Sequence, residues 1–301
     1  MTEIERIISK DMFSKDFIKP ETLCNFYVDE KRKKVWLISL DLLSEFDRVC
    51  KIHGLRYFLM FGTLLGAIRH RGFIPWDDDI DVVMPREDYE KLSLWHHNFT
   101  PPYFLQTPQT DKGYYYSFNK LRNSNTTNMP IAFRYEHFNQ GISLDIFPLD
   151  YYTMENIEEK FAKIKELAID LSNYMRMRNP ELDEDGMERI AQYSGRPPID
   201  TLQMIQDVCR EDAGKKCDMI GWMSGNIYGP FRQTFKKESF IESQIIDFYG
   251  LHVPIPKAYH YVLTTLYGNY MEFPPVSVRG TWHHHLIQDT DNPYTHYIKS
   301  K

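Results

Sequence analysis

The chain has 301 residues, 42% hydrophobic and 26% charged, with a formal net charge of -6. That length allows one large domain or two modest ones, the balance is that of a globular protein, and the negative charge speaks against a nucleic-acid partner. The scattered cysteines Cys24, Cys50, Cys209 and Cys217 argue against a zinc site or disulfide framework and suit a reducing cytoplasm, and neither a signal peptide nor a membrane span is read.

Between Lys33 and His53 apolar residues recur at three- and four-residue steps, with Asp41, Glu45 and Arg48 on the other face. The spacing predicts an amphipathic helix capped by Gly54, and the basic run Lys31–Lys34 reads as its solvated start. Leu55–Phe61 reads as a buried strand, Leu64–His70 as a short helix and Asp79–Met84 as a strand. Pro85 opens a helix to Leu92. Further strands are expected at Tyr103–Gln106, Tyr114–Leu121 and Ile142–Phe147, then helices at Glu155–Arg178, Glu184–Tyr193, Thr201–Cys217 and Pro256–Tyr267, with an extended excursion at Ile245–Val253. The expected plan is α+β: an N-terminal extension (1–30), a core of mixed sheet and flanking helices (31–150), and a mainly helical region (151–301) packed on it.

The chemistry concentrates between Phe61 and Arg86. On a strand, Asp79 and Asp81 share one face with Cα atoms about 6.5–7 Å apart. Their repulsion amounts to a few kcal/mol at an effective dielectric of about 20, and Asp77 and Asp78 add to the crowding. A divalent cation reverses that energy, and carboxylate oxygens suit Mg²⁺ or Mn²⁺. A solvated acidic loop is the alternative, but Ile80, Val82 and Val83 interleave the acids as a strand entering a core would. Upstream, Gly62-Thr63 stands between a strand and a helix, where backbone N–H groups can meet an anion. A third carboxylate, Asp145, lies among Leu144, Ile146 and Phe147; Asp150 follows Pro148 and reads as a turn residue. Strand, Gly-Thr turn, helix and D-x-D strand together resemble the nucleotidyltransferase superfamily.

The run GTLLGAIRHRGFIPWDDDIDVVMPREDYEKL resembles the LicD family of phosphocholine transferases, to which fukutin and fukutin-related protein are related. DIFPLD at 145–150 and LYGNYMEFPP at 266–275 are similar to stretches of the same family. The resemblance implies a nucleotidyltransferase-like fold and Mg²⁺ on Asp79, Asp81 and Asp145. It further implies a CDP-activated donor, most directly CDP-choline, whose phospho-head group moves to a sugar hydroxyl of a surface glycan or its lipid-linked precursor while CMP leaves. Phosphoethanolamine and ribitol phosphate are alternative head groups. Such an acceptor would bring a cytoplasmic protein to the inner face of the plasma membrane.

On this reading Asp145 also accepts the acceptor's proton, and Gly62, Thr63, Arg69, Lys120 and Arg122 contact donor phosphate. Trp76, Tyr114–Tyr116 and Trp282 are candidate faces for a quaternary nitrogen. His283–His285 reads as surface rather than metal site, since consecutive positions rarely converge on one ion. Two rivals stay open: a nucleotidyltransferase moving a nucleoside monophosphate, and a binding module that kept the fold.

Overall fold

The computed structural model describes residues 1–130, 133–178, 188, 191–228, 233–280 and 285–299. Seven α-helices are seen among them: α1 (Glu3–Ile8), α2 (Glu30–His53), α3 (Phe61–Arg69), α4 (Arg86–Leu94), α5 (Ile157–Met177), α6 (Pro198–Arg210) and α7 (Tyr259–Tyr267). The strands are β1 (Glu21–Leu23), β2 (Phe26–Val28), β3 (Phe58–Leu59), β4 (Ile80–Pro85), β5 (Tyr103–Gln106), β6 (Asn119–Asn123), β7 (Thr127–Pro130), β8 (Ile142–Tyr152), β9 (Met219–Gly221), β10 (Thr234–Lys236), β11 (Ser243–Phe248), β12 (Leu251–Pro256) and β13 (His285–Asp289). The fold is α+β, as expected.

Strand β8 is the axis of a mixed sheet. One edge pairs with β4 in parallel, and β4 continues to β3 in antiparallel. The other edge is shared: β6 pairs antiparallel with Ile142–Ile146, and β9 takes over at Asp150–Tyr152, leading to β10. Sequence alone stops β8 at Phe147 because Pro148 cannot donate to a ladder. On this edge Pro148 falls in the gap between the two partners, so the strand passes through it. Asp150 is therefore not in a turn. It lies fully buried in β8, where the Arg86 side chain grips it through Nε at 2.7 Å and Nη2 at 2.5 Å.

Helix α2 forms as the periodicity predicts. The Asp29 side chain accepts from the Arg32 N–H, and Gly54 ends the helix at φ 62, a left-handed angle that costs glycine least. Its surroundings differ from expectation. Asp41 is buried, because α1 and the residues just after it lie across that face and bring Arg6 Nη2 to 2.6 Å and Lys10 Nζ to 2.5 Å of its carboxylate, with the Tyr103 hydroxyl at 2.7 Å. Lys33 is likewise buried against Glu21 of β1. Thus the basic helix start is only partly solvated.

Other boundaries moved for local reasons. Helix α3 begins at Phe61, so β3 is two residues long and Gly62-Thr63 lies in the helix's first turn. Tyr114–Phe118 precedes β6 rather than joining it, and α6 ends at Arg210 instead of Cys217. The excursion at 245–253 is part of a hairpin whose turn is Tyr249 (φ 55) and Gly250 (φ 83), both angles that a tight primed turn demands. The expected helix at 184–193 lies largely outside the described residues. Besides its helices, the second half supplies β9 and β10 to the sheet and two further short pairings.

Candidate active site

The parallel register sets Asp81 directly beside Asp145, and the antiparallel register on the other edge sets Lys120 across from Asp145. Three adjacent strands thereby place acid, acid and base in one row on one face of the sheet. Lys120 Nζ donates to both oxygens of Asp145, at 2.7 and 2.6 Å, and the Ser143 hydroxyl adds a third donor at 3.0 Å. Asp79 stands one residue before β4 begins, partly buried. Burial pushes its carboxyl well above the ordinary range, and the negative charges of Asp81, Asp77, Asp145 and Asp78 push it further.

Carboxylate oxygens of Asp77, Asp78 and Asp79 lie within 4.8 Å of one another. The tightest three-acid grouping among the described residues is this one, rather than Asp79, Asp81 and Asp145. Five acids in one place, with burial already disfavouring ionised Asp79, match the all-oxygen donor set of a hard divalent cation, which would relieve the repulsion.

The start of α3 shapes this cluster from the other side. Phe61 adopts φ 49, an uncommon angle for a large side chain, and turns the chain from β3 into the helix. A Cβ on Gly62 would stand 2.5 Å from Asp77 Oδ2, so glycine here is what lets the carboxylate approach the helix. The Thr63 hydroxyl accepts from the Asp81 N–H at 2.8 Å, and the Met60 N–H donates to the Asp81 carbonyl at 3.0 Å. The contacts seen at Gly62-Thr63 thus position the acids. Arg32 of α2 and the Trp36 indole hold the Asp77 carbonyl at 3.0 and 2.9 Å; nothing in the basic run's pattern pointed to that contact.

The expected phosphate contacts occupy different places. Lys120 is in the row, on Asp145. Arg122, two residues on, is buried and spends its guanidinium on Gln106 Oε1 and the Gly141 carbonyl, both at 2.7 Å. Arg69, at the end of α3, donates to the carbonyls of Tyr270 and Glu272 at 2.9 Å, drawing in the segment that carries LYGNYMEFPP.

Among the aromatic candidates, Tyr114 is fully buried, Tyr115 packs on Tyr174 and Trp76 lies against Phe26. Trp282, His283 and His284 lie outside the described residues, as does the side chain of His285. The rings beside the acid row are others. Phe118 and Phe147 sit two residues from Lys120 and Asp145 on the same face, and they meet Phe61 and Trp222 with centroids 4.2 to 5.7 Å apart for Phe61–Phe147, Phe118–Phe147, Phe118–Trp222 and Phe147–Trp222. The two-residue strand period from Lys120 and Asp145 was enough to find Phe118 and Phe147. Trp222 carries no sequence signal, being brought here by β9.

Residues 54–175 match the family LicD/FKTN/FKRP, nucleotidyltransferase domain. Over 248 residues the chain is 27% identical to the lipopolysaccharide cholinephosphotransferase LicD of Haemophilus influenzae, covering 79% of this chain and 91% of that one. It is also 28% identical over 193 residues to mannosyltransferase regulator 4 of Saccharomyces cerevisiae, covering 59% of this chain and 15% of the yeast protein. A shorter stretch of 66 residues is 39% identical to an uncharacterized protein of Rickettsia prowazekii, 20% of this chain and 25% of that one. All the acids of the row lie within the matched residues, and with that geometry in place the chain is a LicD-like phosphotransferase whose residues 54–175 form a LicD-family nucleotidyltransferase domain.

Proposed function

We propose that the protein transfers a phospho-head group, phosphocholine from CDP-choline in the first instance, to a sugar hydroxyl of a cell-surface glycan or its lipid-linked precursor, releasing CMP. The observation that carries this reading is the Asp81–Asp145–Lys120 row with Asp79 at its head, inside a domain of the LicD family. Its head group and acceptor class follow the Haemophilus relative, whose name specifies cholinephosphate and lipopolysaccharide, and its CDP-activated donor is what the family resemblance implies.

The acids fit Mg²⁺, with Mn²⁺ as the substitute: Asp79, Asp81 and Asp145 would hold it, bordered by Asp77 and Asp78, and it would neutralise charge on the donor diphosphate and on departing CMP. The acceptor oxygen forms a bond to the phosphorus bearing the head group as the bond from that phosphorus to the CMP oxygen breaks. Asp145 takes the hydroxyl proton. Lys120, donating to both its oxygens, keeps it aimed. The Phe61, Phe118, Phe147 and Trp222 rings lie along the same face, and such π-faces suit the methyl-clad cation of choline. No described helix is long and apolar enough to cross a membrane; a lipid-linked acceptor would be met by peripheral contact at the inner face of the plasma membrane.

The test is incubation with CDP-choline, CDP-ethanolamine, CDP-ribitol and CTP, each with Mg²⁺ or EDTA and an extract of acceptor glycans, following CMP and pyrophosphate. Magnesium-dependent CMP release from a CDP donor is the expected result, and the donor that yields it names the head group. Pyrophosphate from CTP would instead establish nucleotidyl transfer. No release from any donor would favour a binding module.

A further inference from the structure

Arg6, Arg48, Arg56, Arg86 and Arg210 are each paired with a carboxylate. Arg69 and Arg279 have no carboxylate partner among the described residues, and both lie against the Phe273 ring. Arg69 Nη1 is held by the Tyr270 and Glu272 carbonyls at 2.9 Å, while Arg279 donates from Nε to the Pro274 carbonyl and from Nη1 to the Cys24 carbonyl, both at 2.9 Å. Among the described residues Nη2 of each guanidinium has no hydrogen-bond partner.

Their planes are fixed by aromatic rings. Arg69 stands 5.1 Å and Arg279 5.6 Å from the Phe273 centroid, and Arg279 also lies 4.9 Å from that of Trp76. The His70 ring, 5.2 Å from Phe273 and 5.8 Å from Trp76, completes the group, and its buried Nε2 has no hydrogen-bond partner. Burial, then Arg69 and Arg279, push His70 down to about 4, so it stands neutral beside two cations. Two guanidiniums on one ring, with no carboxylate partner among the described residues, are unfavourable on their own terms, and an anion reached by both reverses the sign. The acid cluster is close by: Trp76, over whose ring Arg279 lies, immediately precedes Asp77 in the chain.

We propose that Arg69 and Arg279, with His70 between Trp76 and Phe273, form an anion pocket that takes a phosphate oxygen of the donor's diphosphate. The pocket rests on the proposed function only in assigning that phosphate to the donor. Its physical content is that a diphosphate meets metal-binding acids at one end and, at the other, the Nη2 groups of two guanidiniums whose remaining nitrogens are already held in place.

Pyrophosphate binding in EDTA, measured calorimetrically, tests it without metal or nucleotide. Wild type should bind, and Arg279→Gln should bind about tenfold more weakly or worse, a loss equal to one good contact. Should Arg279→Gln melt early, Arg279→Lys serves instead: it keeps the charge, loses the fixed Nη2 donor, and should also bind more weakly. No pyrophosphate binding by wild type, or equal affinity in a folded variant, overturns the pocket. The donor panel is read separately. If pyrophosphate binding depends on Arg279 but no CDP donor is turned over, the proposed function fails and the pocket stands. If CDP-choline is turned over with an unchanged KM in Arg279→Gln, the pocket fails and the function stands.

Discussion

Each acid of the row has its own physical situation, and its substitution should report that situation. Asp81 is anchored through its own backbone, by Thr63 at the N–H and Met60 at the carbonyl, so Asp81→Asn removes charge without releasing the strand. Asp145 is gripped by Lys120 and Ser143, and Asp79 is crowded by four other acids. Asp79→Asn, Asp81→Asn and Asp145→Asn should each lower turnover by about a hundredfold or more, as loss of a group stabilising transition-state charge does, with unfolding midpoints at or above wild type for Asp79→Asn. Near-normal rates in two of the three at saturating Mg²⁺ would sink the assignment. The D-x-D spacing made Asp79 and Asp81 legible from the chain alone. The partnership of Lys120 with Asp145 was not, since it depends on which residues two strands set opposite each other.

Strand β8 shows how an element can be misjudged from its own residues. Pro148 and Asp150 read as an ending, yet the strand continues, because Asp150 finds Arg86 at the start of α4 and the two are buried together behind the sheet. Burying one charge of such a pair alone costs about 3–5 kcal/mol. Arg86→Leu should therefore lower stability by roughly that amount, read from urea unfolding, whereas the double change Arg86→Leu with Asp150→Leu should recover a large part. If the single variant unfolds at the wild-type urea midpoint, the pair is not a stabilising feature of β8. Helix α2 makes the complementary point: its length and its Gly54 cap follow from local chemistry, while the burial of Asp41 follows from α1, which nothing in α2's periodicity announces.

Taken as a whole, the molecule carries a site that opposes its own folding. The Asp79 carboxyl titrates higher folded than unfolded, so above that raised value its ionised form destabilises the native state, and the penalty fades as pH falls through it. In EDTA the Asp79 contribution should raise the melting temperature as the buffer is taken from neutral to mildly acid, against His70, which stays neutral in the fold down to about 4 and works in the opposite sense. Asp111 and Asp150, also raised by burial, contribute in the same direction as Asp79, so the comparison that isolates Asp79 is wild type against Asp79→Asn. The variant should show the smaller rise; superimposable profiles would refute the claim. Saturating Mg²⁺ should raise the wild-type melting temperature at neutral pH, by linkage worth about 2.7 kcal/mol at a hundredfold excess over Kd, and Asp79→Asn should blunt that gain.

The amino-acid order was enough for the helix and strand character of residues 33–94, the acids of the D-x-D strand, the third acid Asp145 and the family resemblance. All of these rest on neighbours a few positions apart, where side-chain period and backbone preference act directly. Which groups meet through space was decided only by the fold. Sheet register put Lys120 on Asp145, the path of β9 carried Trp222 to the face of Phe147, and the return of the 270–279 segment brought Phe273 to Arg69 and Arg279 to the same ring. Such contacts join residues far apart in the chain, as Arg69 and the Tyr270 carbonyl are, separated by 201 positions. Their energy depends on distance and burial in the folded chain, which no local pattern encodes.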